Sequence, residues 1–307
     1  MQIETVTVLG QESVRGDYRL IKFASRKIAP QVKPGQFVHL RVAGRNDLVL
    51  RRPFSVFKAD RHSLFILYKI VGSGTAMLSG LRPGDRLSMI GPLGNGFPLP
   101  AAGSYPLFIA GGYGSAAVYL LAKMVKQKGA LFIGGKTKED ILCVDDFKKI
   151  GWKVFVTTED GSMGQNGLVT DILLKYMGIA RLPNLSFRVK RGISAKTTNT
   201  AEILRKTQDD KRLLGKKHQI ELFACGPMGM LKAVSEIAIR AGITAWLSLD
   251  RNMGCGVGAC LGCVQKIKPR SSHGKQHGKR DLVAKGWEWA RICTEGPVFE
   301  CREIVWE

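Results

Sequence analysis

The sequence predicts an antiparallel β-barrel, then a parallel α/β domain, then a small cysteine-rich module at the C-terminal end. Three observations predict it. Six short runs of alternating apolar and polar residues, separated by Gly and Pro turns, fill the first hundred residues, and strands at that spacing suggest an antiparallel barrel. After Pro100, short apolar strands alternate with segments of helical period, as in a parallel sheet covered by helices. Near the C-terminus, Cys255, Cys260, Cys263 and Cys293 form a C-x4-C-x2-C…C frame, a spacing that belongs to metal ligation.

In the barrel, strands are expected over 5–9, 18–23, 36–42, 53–57, 64–70 and 86–90, with turns at Lys33-Pro-Gly-Gln36 and Arg82-Pro-Gly-Asp85. A short helix over 76–79 follows a Gly-Ser-Gly-Thr turn. In the α/β part, strands are expected at 106–110, 130–134, 153–157 and 220–224, and helices at 115–127, 169–176 and 228–241. Residues 182–219, rich in Lys, Arg and Thr, read as an insertion ahead of the last of these strands. The expected domains are therefore 1–100, 101–245 and 246–307.

Composition narrows the function. A chain of 307 residues with 45% hydrophobic content buries more than one core. From Leu87 to Ala122 no residue is charged, but glycines and prolines interrupt the run throughout, which excludes a membrane helix there. Seven cysteines behind an N-terminus that reads directly as a strand suit a reducing, cytoplasmic setting, with clustered thiols as metal ligands. A net charge of +22 would ordinarily point to a polyanion. Here most of the excess lies in 181–217, with eleven Lys/Arg against three Asp/Glu, and in 266–291, with eight against two. Neither stretch interleaves aromatic residues regularly, so both read as solvated insertions and nucleic acid is not the expected partner.

Two irons bridged by two sulfides need four thiolates around one small volume, and the cysteine spacing is that of a plant-type [2Fe-2S] cluster. Glycines at 254, 256, 258 and 262 let the backbone approach where a Cβ would clash. Structural zinc also takes four cysteines, usually as two C-x2-C hooks; Cys301 is an alternative fourth ligand, and Cys143 reads as structural. Arg52-Pro53-Phe54-Ser55 offers a guanidinium for a pyrophosphate, a flat ring and a hydroxyl, which suits a flavin nucleotide; a buried strand with one edge arginine is the plainer alternative. Gly74 and Thr75 open a helix where free amides attract phosphate, and an ordinary capped turn is equally compatible. Gly111-Gly112-Tyr-Gly114 is a shortened dinucleotide loop between strand and helix, and Cys225-Gly226-Pro227 ends another strand at the ligand-binding edge. A buried structural cysteine also fits Cys225. For the nucleotide's ribose, Glu139 and Asp140 would favour a free hydroxyl, Lys136 and Lys138 a 2′-phosphate.

Together with Cys293-Thr-Glu-Gly-Pro-Val-Phe299, these motifs resemble the electron-transfer subunits of NAD-linked dihydroorotate dehydrogenase, within the ferredoxin-reductase-like flavoproteins. The resemblance implies FAD on the barrel, held by Arg52, Pro53, Phe54, Ser55, Leu67, Tyr68, Lys69, Gly74 and Thr75. It implies NAD(H) on the α/β domain at Gly111, Gly112 and Gly114, with Cys225, Gly226 and Pro227 near the nicotinamide, and a [2Fe-2S] cluster on Cys255, Cys260, Cys263 and Cys293. It further implies a separate FMN-containing catalytic subunit in a 2+2 heterotetramer serving pyrimidine biosynthesis, with no residue of this chain oxidising dihydroorotate. Three features depart from the family form: the 111–114 loop is one residue short with Tyr113 at a position expected to be small, 29 residues separate Cys263 from Cys293, and the 182–219 insertion is atypical. A small subunit of another flavin-dependent reductase, such as ferredoxin:NADP oxidoreductase, is the nearest alternative; a zinc-bearing polyanion-binding protein is the alternative from another class.

Overall fold

The computed structural model describes residues 1–42, 50–179, 219–269 and 286–307. The first sheet is antiparallel, in the order β4-β3-β7-β1-β2-β6-β5, built from β1 (Gln2–Arg15), β2 (Tyr18–Ala24), β3 (Phe37–Arg41), β4 (Arg52–Ser55), β5 (Lys58–Ala59), β6 (Ser63–Lys69) and β7 (Arg86–Leu93). Alternation drives it: Val6 and Val8, Ile21 and Phe23, Val38 and Leu40, and Leu64 and Ile66 are all buried in one core, and side chains two apart share a face. Register irregularities in β1 between Val8 and Gly10 and between Ser13 and Arg15 bend one long strand so that it pairs with both β2 and β7. Phe54 of β4 meets Tyr68 of β6 edge to face at 5.9 Å, which draws separated parts of the sheet into a barrel. Both expected turns form, with the Gln36 amide donating to the Lys33 carbonyl and the Asp85 amide to that of Arg82, each at 3.1 Å. Helix α1 spans Ser73–Ser79.

The second sheet runs β11-β10-β9-β8-β12-β13-β16. Its strands are β8 (Tyr105–Gly111), β9 (Ala130–Gly135), β10 (Lys153–Thr158), β11 (Gln165–Asn166), β12 (Ile220–Cys225), β13 (Thr244–Ser248) and β16 (Val298–Glu300). All pair in parallel except β16, which returns antiparallel along β13. The first strand in sequence, β8, has β9 on one side and β12 on the other. That reversal opens a crevice beyond the carboxyl ends of β8 and β12, where sheets of this kind bind ligands. The covering helices are α2 (Gly114–Met124), α3 (Val144–Lys149), α4 (Val169–Met177) and α5 (Met228–Ala241). Leu231, Val234, Ile237 and Ala238 form the buried stripe of α5. Gly178 and Gly242 end α4 and α5 in the left-handed conformation, both at φ 68°, which costs glycine no Cβ clash.

The barrel docks on the α/β domain through specific contacts. Tyr18 donates its hydroxyl hydrogen to Asp140 Oδ1 at 2.8 Å, Lys58 pairs with Asp146 at 2.6 Å, and the Phe57 and Tyr119 rings lie 4.9 Å apart. A third, two-stranded sheet of β14 (Val264–Ile267) and β15 (Glu288–Arg291) forms an antiparallel ribbon.

Several elements differ from expectation. β1 continues six residues beyond Leu9 because β2 pairs with it as far as Arg15 opposite Tyr18. Helix α2 stops at Met124 instead of continuing to 127; the Lys128 ammonium turns back to donate to the Ala122 carbonyl at 2.8 Å, satisfying a terminal acceptor. β5, β11, α3, β13, β14, β15 and β16 were not anticipated. The 182–219 insertion lies outside the described residues save Gln219, as does 270–285 of the second basic segment. Among the described residues, no helix is long and apolar enough to cross a membrane.

Candidate metal centre and cofactor sites

The cysteine loop is built around one sulfur. Cys255 Sγ accepts the amide hydrogens of Val257 at 3.4 Å, Ala259 at 3.3 Å and Cys260 at 3.4 Å. Gly256 at φ 71° and Gly258 at φ 83° turn the backbone so that these amides point inward, and Leu261 joins them at φ 56°. Burial opposes ionisation of Cys255, but the converging amides outweigh it and lower its pKa to about 6. A thiolate is the ligand form, so the chemistry of this donor set fits an iron-sulfur cluster.

The ribbon supplies the rest. Ile292 donates its amide hydrogen to the Cys263 carbonyl at 2.9 Å, and the Cys263 and Cys293 thiols lie in hydrogen-bonding contact; burial and then that contact push Cys293 up to about 12. The Cys255 and Cys260 thiols, like those of Cys263 and Cys293, lie in hydrogen-bonding contact. Among the described residues no three His, Cys, Asp or Glu side chains are gathered closely enough to hold a single metal ion. Cys301, the alternative fourth ligand, lies elsewhere: its amide donates to the Ala245 carbonyl at 2.8 Å, its carbonyl receives the Ser235 hydroxyl and its thiol donates to Glu300 at 3.3 Å.

In the barrel the structure brings the Arg52 and Gly74 motifs together. A Cβ built on Gly74 would run into the Arg52 guanidinium, so the turn's glycine leaves the space that the arginine occupies. Phe54 stands on the same face of β4 as Arg52, with Tyr68 beside it, while Pro53 and Ser55 project to the other face, opposite His39 and Phe37 in β3. Tyr68 donates its hydroxyl hydrogen to Gln11, and burial raises its pKa. Two candidates are otherwise engaged. Leu67 is buried in the core shared with the α/β domain, and Lys69 pairs with Asp140 at 3.4 Å while lying over the Tyr18 ring. The Thr75 hydroxyl caps its own turn, accepting from the Val71 and Gly72 amides.

In the α/β domain the Gly111–Gly114 loop and the Cys225–Pro227 turn pack against each other at the reversal crevice. A Cβ on Gly111 would stand 2.6 Å from Pro227 Cδ, and one on Gly114 would collide with the Cys225 carbonyl. These glycines are therefore required first by the meeting of two turns. Burial holds the Cys225 thiol up at about 12. Tyr113 and Asp250 are both exposed, and Tyr113 donates its hydroxyl hydrogen to Asp250 Oδ2 at 3.3 Å. Asp140 is taken by the interdomain contact, accepting also from the Lys136 and Thr137 amides. Sequence reasoning missed Asp250 and His39: Asp250 follows a strand that was not anticipated, and His39 sits at what reads as an ordinary polar position of a strand.

A flavin-reductase barrel, a reversal-point nucleotide crevice and a four-cysteine module define an oxidoreductase component with a ferredoxin-reductase-like fold. A solved chain described as NADH-dependent reduced ferredoxin-NADP oxidoreductase shares that fold at a TM-score of 0.70 and 23% identity, over 99% of this chain and 90% of that one. The ferredoxin reductase of carbazole 1,9a-dioxygenase shares it at a TM-score of 0.57, 17% identity, 79% of this chain and 66% of that one. Residues 250–305 match the model of the iron-sulfur cluster binding domain of dihydroorotate dehydrogenase B. The electron transfer subunit of dihydroorotate dehydrogenase B (NAD(+)) from Desulforamulus reducens is 35% identical over 94% of this chain and 92% of its own length. The subunit of the same description from Geobacillus thermodenitrificans is 33% identical over 98% of both. The chain belongs to the family of dihydroorotate dehydrogenase B electron-transfer subunits.

Proposed function

We propose that this chain carries electrons between NAD(H) and the FMN of a separate dihydroorotate dehydrogenase catalytic subunit, using FAD on the barrel and a [2Fe-2S] cluster in the C-terminal module. A flavin takes two electrons as hydride and releases them singly, which is the chemistry FAD supplies between a nicotinamide and a one-electron cluster. The observation that carries the reading is the seating of the cysteine loop on the barrel. Gly256 lies against His39 of β3, and β3 is the direct neighbour of β4, which holds Arg52–Ser55. The flavin strand and the cluster loop are thus one strand apart.

In this reading Arg52 and the amides after Gly72 take the FAD pyrophosphate, and Phe54 and Tyr68 line the flavin, with Ser55 on the other face of β4. Gly111, Gly112, Gly114 and Cys225–Pro227 floor the nicotinamide crevice. Cys255, Cys260, Cys263 and Cys293 hold the cluster. The three cofactor domains are 1–100, 101–245 and 246–307, the last of which also returns β16 to the edge of the α/β sheet. Cys260 and Leu261 are exposed, so the loop is open to a catalytic partner, in a 2+2 assembly in the cytoplasm.

Co-expression with an FMN-containing catalytic subunit is expected to give a coloured complex that forms orotate in an NAD-dependent reaction, with none from this chain alone. Orotate formation by the isolated chain, or none from the complex, refutes the reading. Preferential reduction of ferredoxin over the FMN partner would move the chain to the rival reductases.

A further inference from the structure

His39 is a buried polar side chain that the proposed function does not use. It is fully buried, and neither Nδ1 nor Nε2 has a hydrogen-bond partner among the described residues. Its strand separates two environments. Val38 and Leu40 point into the barrel core, while Phe37, edge to face with His39 at 5.9 Å, belongs to the core that also contains Cys263 and Cys293. His39 therefore leaves the barrel on the side of the cysteine module.

There it meets the cluster loop at its tightest point. A Cβ built on Gly256 would stand 2.7 Å from both Nδ1 and Cε1 of His39, so only a glycine lets ring and loop lie this close. Gly256 follows Cys255, the sulfur on which three amides already converge. Burial and the nearby Arg51 cation keep the imidazole neutral, and a neutral imidazole retains one N–H. A buried donor left without an acceptor is costly. Packing alone would be served better by a hydrocarbon ring at this position.

We infer that His39 is a positioning residue for the bound cluster, its ring N–H donating to a sulfur of the cluster that Cys255 holds. The inference rests on the cluster assignment above. Hydrogen bonds to the sulfurs stabilise the more negative reduced cluster and so raise its potential.

Ring-15N-histidine labelling of the holoprotein, followed by pulsed EPR of the reduced cluster, tests this directly. A histidine 15N coupling is expected in the wild type and is lost in both His39→Phe and His39→Gln. A redox titration should find the cluster of His39→Phe harder to reduce by about tenfold, equivalent to 59 mV for one electron; His39→Gln, which keeps an N–H donor, should recover part of that shift. A cluster signal without histidine coupling, or a coupling that survives both substitutions, overturns the inference while leaving the cluster in place. Absence of any cluster signal from the intact wild-type holoprotein overturns the cluster assignment itself.

Discussion

Gly74→Ala tests whether the two flavin motifs act as one. The new methyl lands on the Arg52 guanidinium, whose Nη1 also donates to the Leu50 carbonyl at 2.5 Å. The arginine cannot stay where it is. Displacing a packed group by added volume costs about 1–3 kcal/mol. Arg52→Ala removes up to two charge-assisted hydrogen bonds to a pyrophosphate, at about 1.5–3 kcal/mol each. Taking about 3 kcal/mol as the total, FAD affinity falls by roughly 150-fold at 1.4 kcal/mol per decade. If Gly74→Ala acts by moving Arg52, it should weaken FAD binding in the wild type and add little in the Arg52→Ala background, a coupling of about 1–3 kcal/mol. Flavin fluorescence during titration of deflavinated protein gives all four dissociation constants. Strict additivity of the two substitutions refutes the reasoning, because the turn would then act on FAD without the arginine.

Other consequences are open to equally direct measurement. Gly114→Ala drives a methyl into the Cys225 carbonyl and should lower stability by about 1–3 kcal/mol and weaken NADH binding, whereas Gly10→Ala, which meets nothing within 4 Å, should melt like the wild type. Cys293→Ser should abolish the visible absorbance of the cluster while Cys301→Ser retains it; the reverse result would exchange their roles. Burial pushes the Cys143 and Cys301 thiols up to about 12 from 9.0. Their raised values stabilise the fold fully below pH about 9, and that contribution is lost as pH rises towards 12. Melting temperature should therefore fall above pH 9, and Cys143→Ser and Cys301→Ser should each flatten the slope; an unchanged slope in both counts against it.

The barrel was legible because its strands alternate cleanly, and α5 was read to the residue because its apolar stripe and its terminal glycine agree. Strand β13 was missed because Thr244–Ser248 is only five residues long and polar at both ends; it pairs with β12 across α5 on one side and with β16, 50 residues later, on the other. The cysteine ligands could be read because ligation imposes spacing, but His39 could not, since its role depends on a loop more than 200 residues away. The glycines of 111–114 were assigned to phosphate approach, whereas the structure shows that they also permit two turns to touch. Tyr113, foreseen only as out of place, reaches Asp250 where the chain leaves the sheet for the cysteine module.

The β14–β15 ribbon has a consequence for how this chain can vary. Its pairing runs from Val264 opposite Arg291 to Ile267 opposite Glu288, so the third and fourth cysteines sit together at its base while the interval that looked too long departs from its open end. The separation of those two thiols is thus independent of how many residues lie between them. Doubling such an interval costs only about 0.6 kcal/mol in closure entropy. The hairpin works as an insulated port: sequence can be added, shortened or exchanged beyond Ile267 and Glu288 as lineages diverge or as engineers graft a tether, and the metal centre need not register the change.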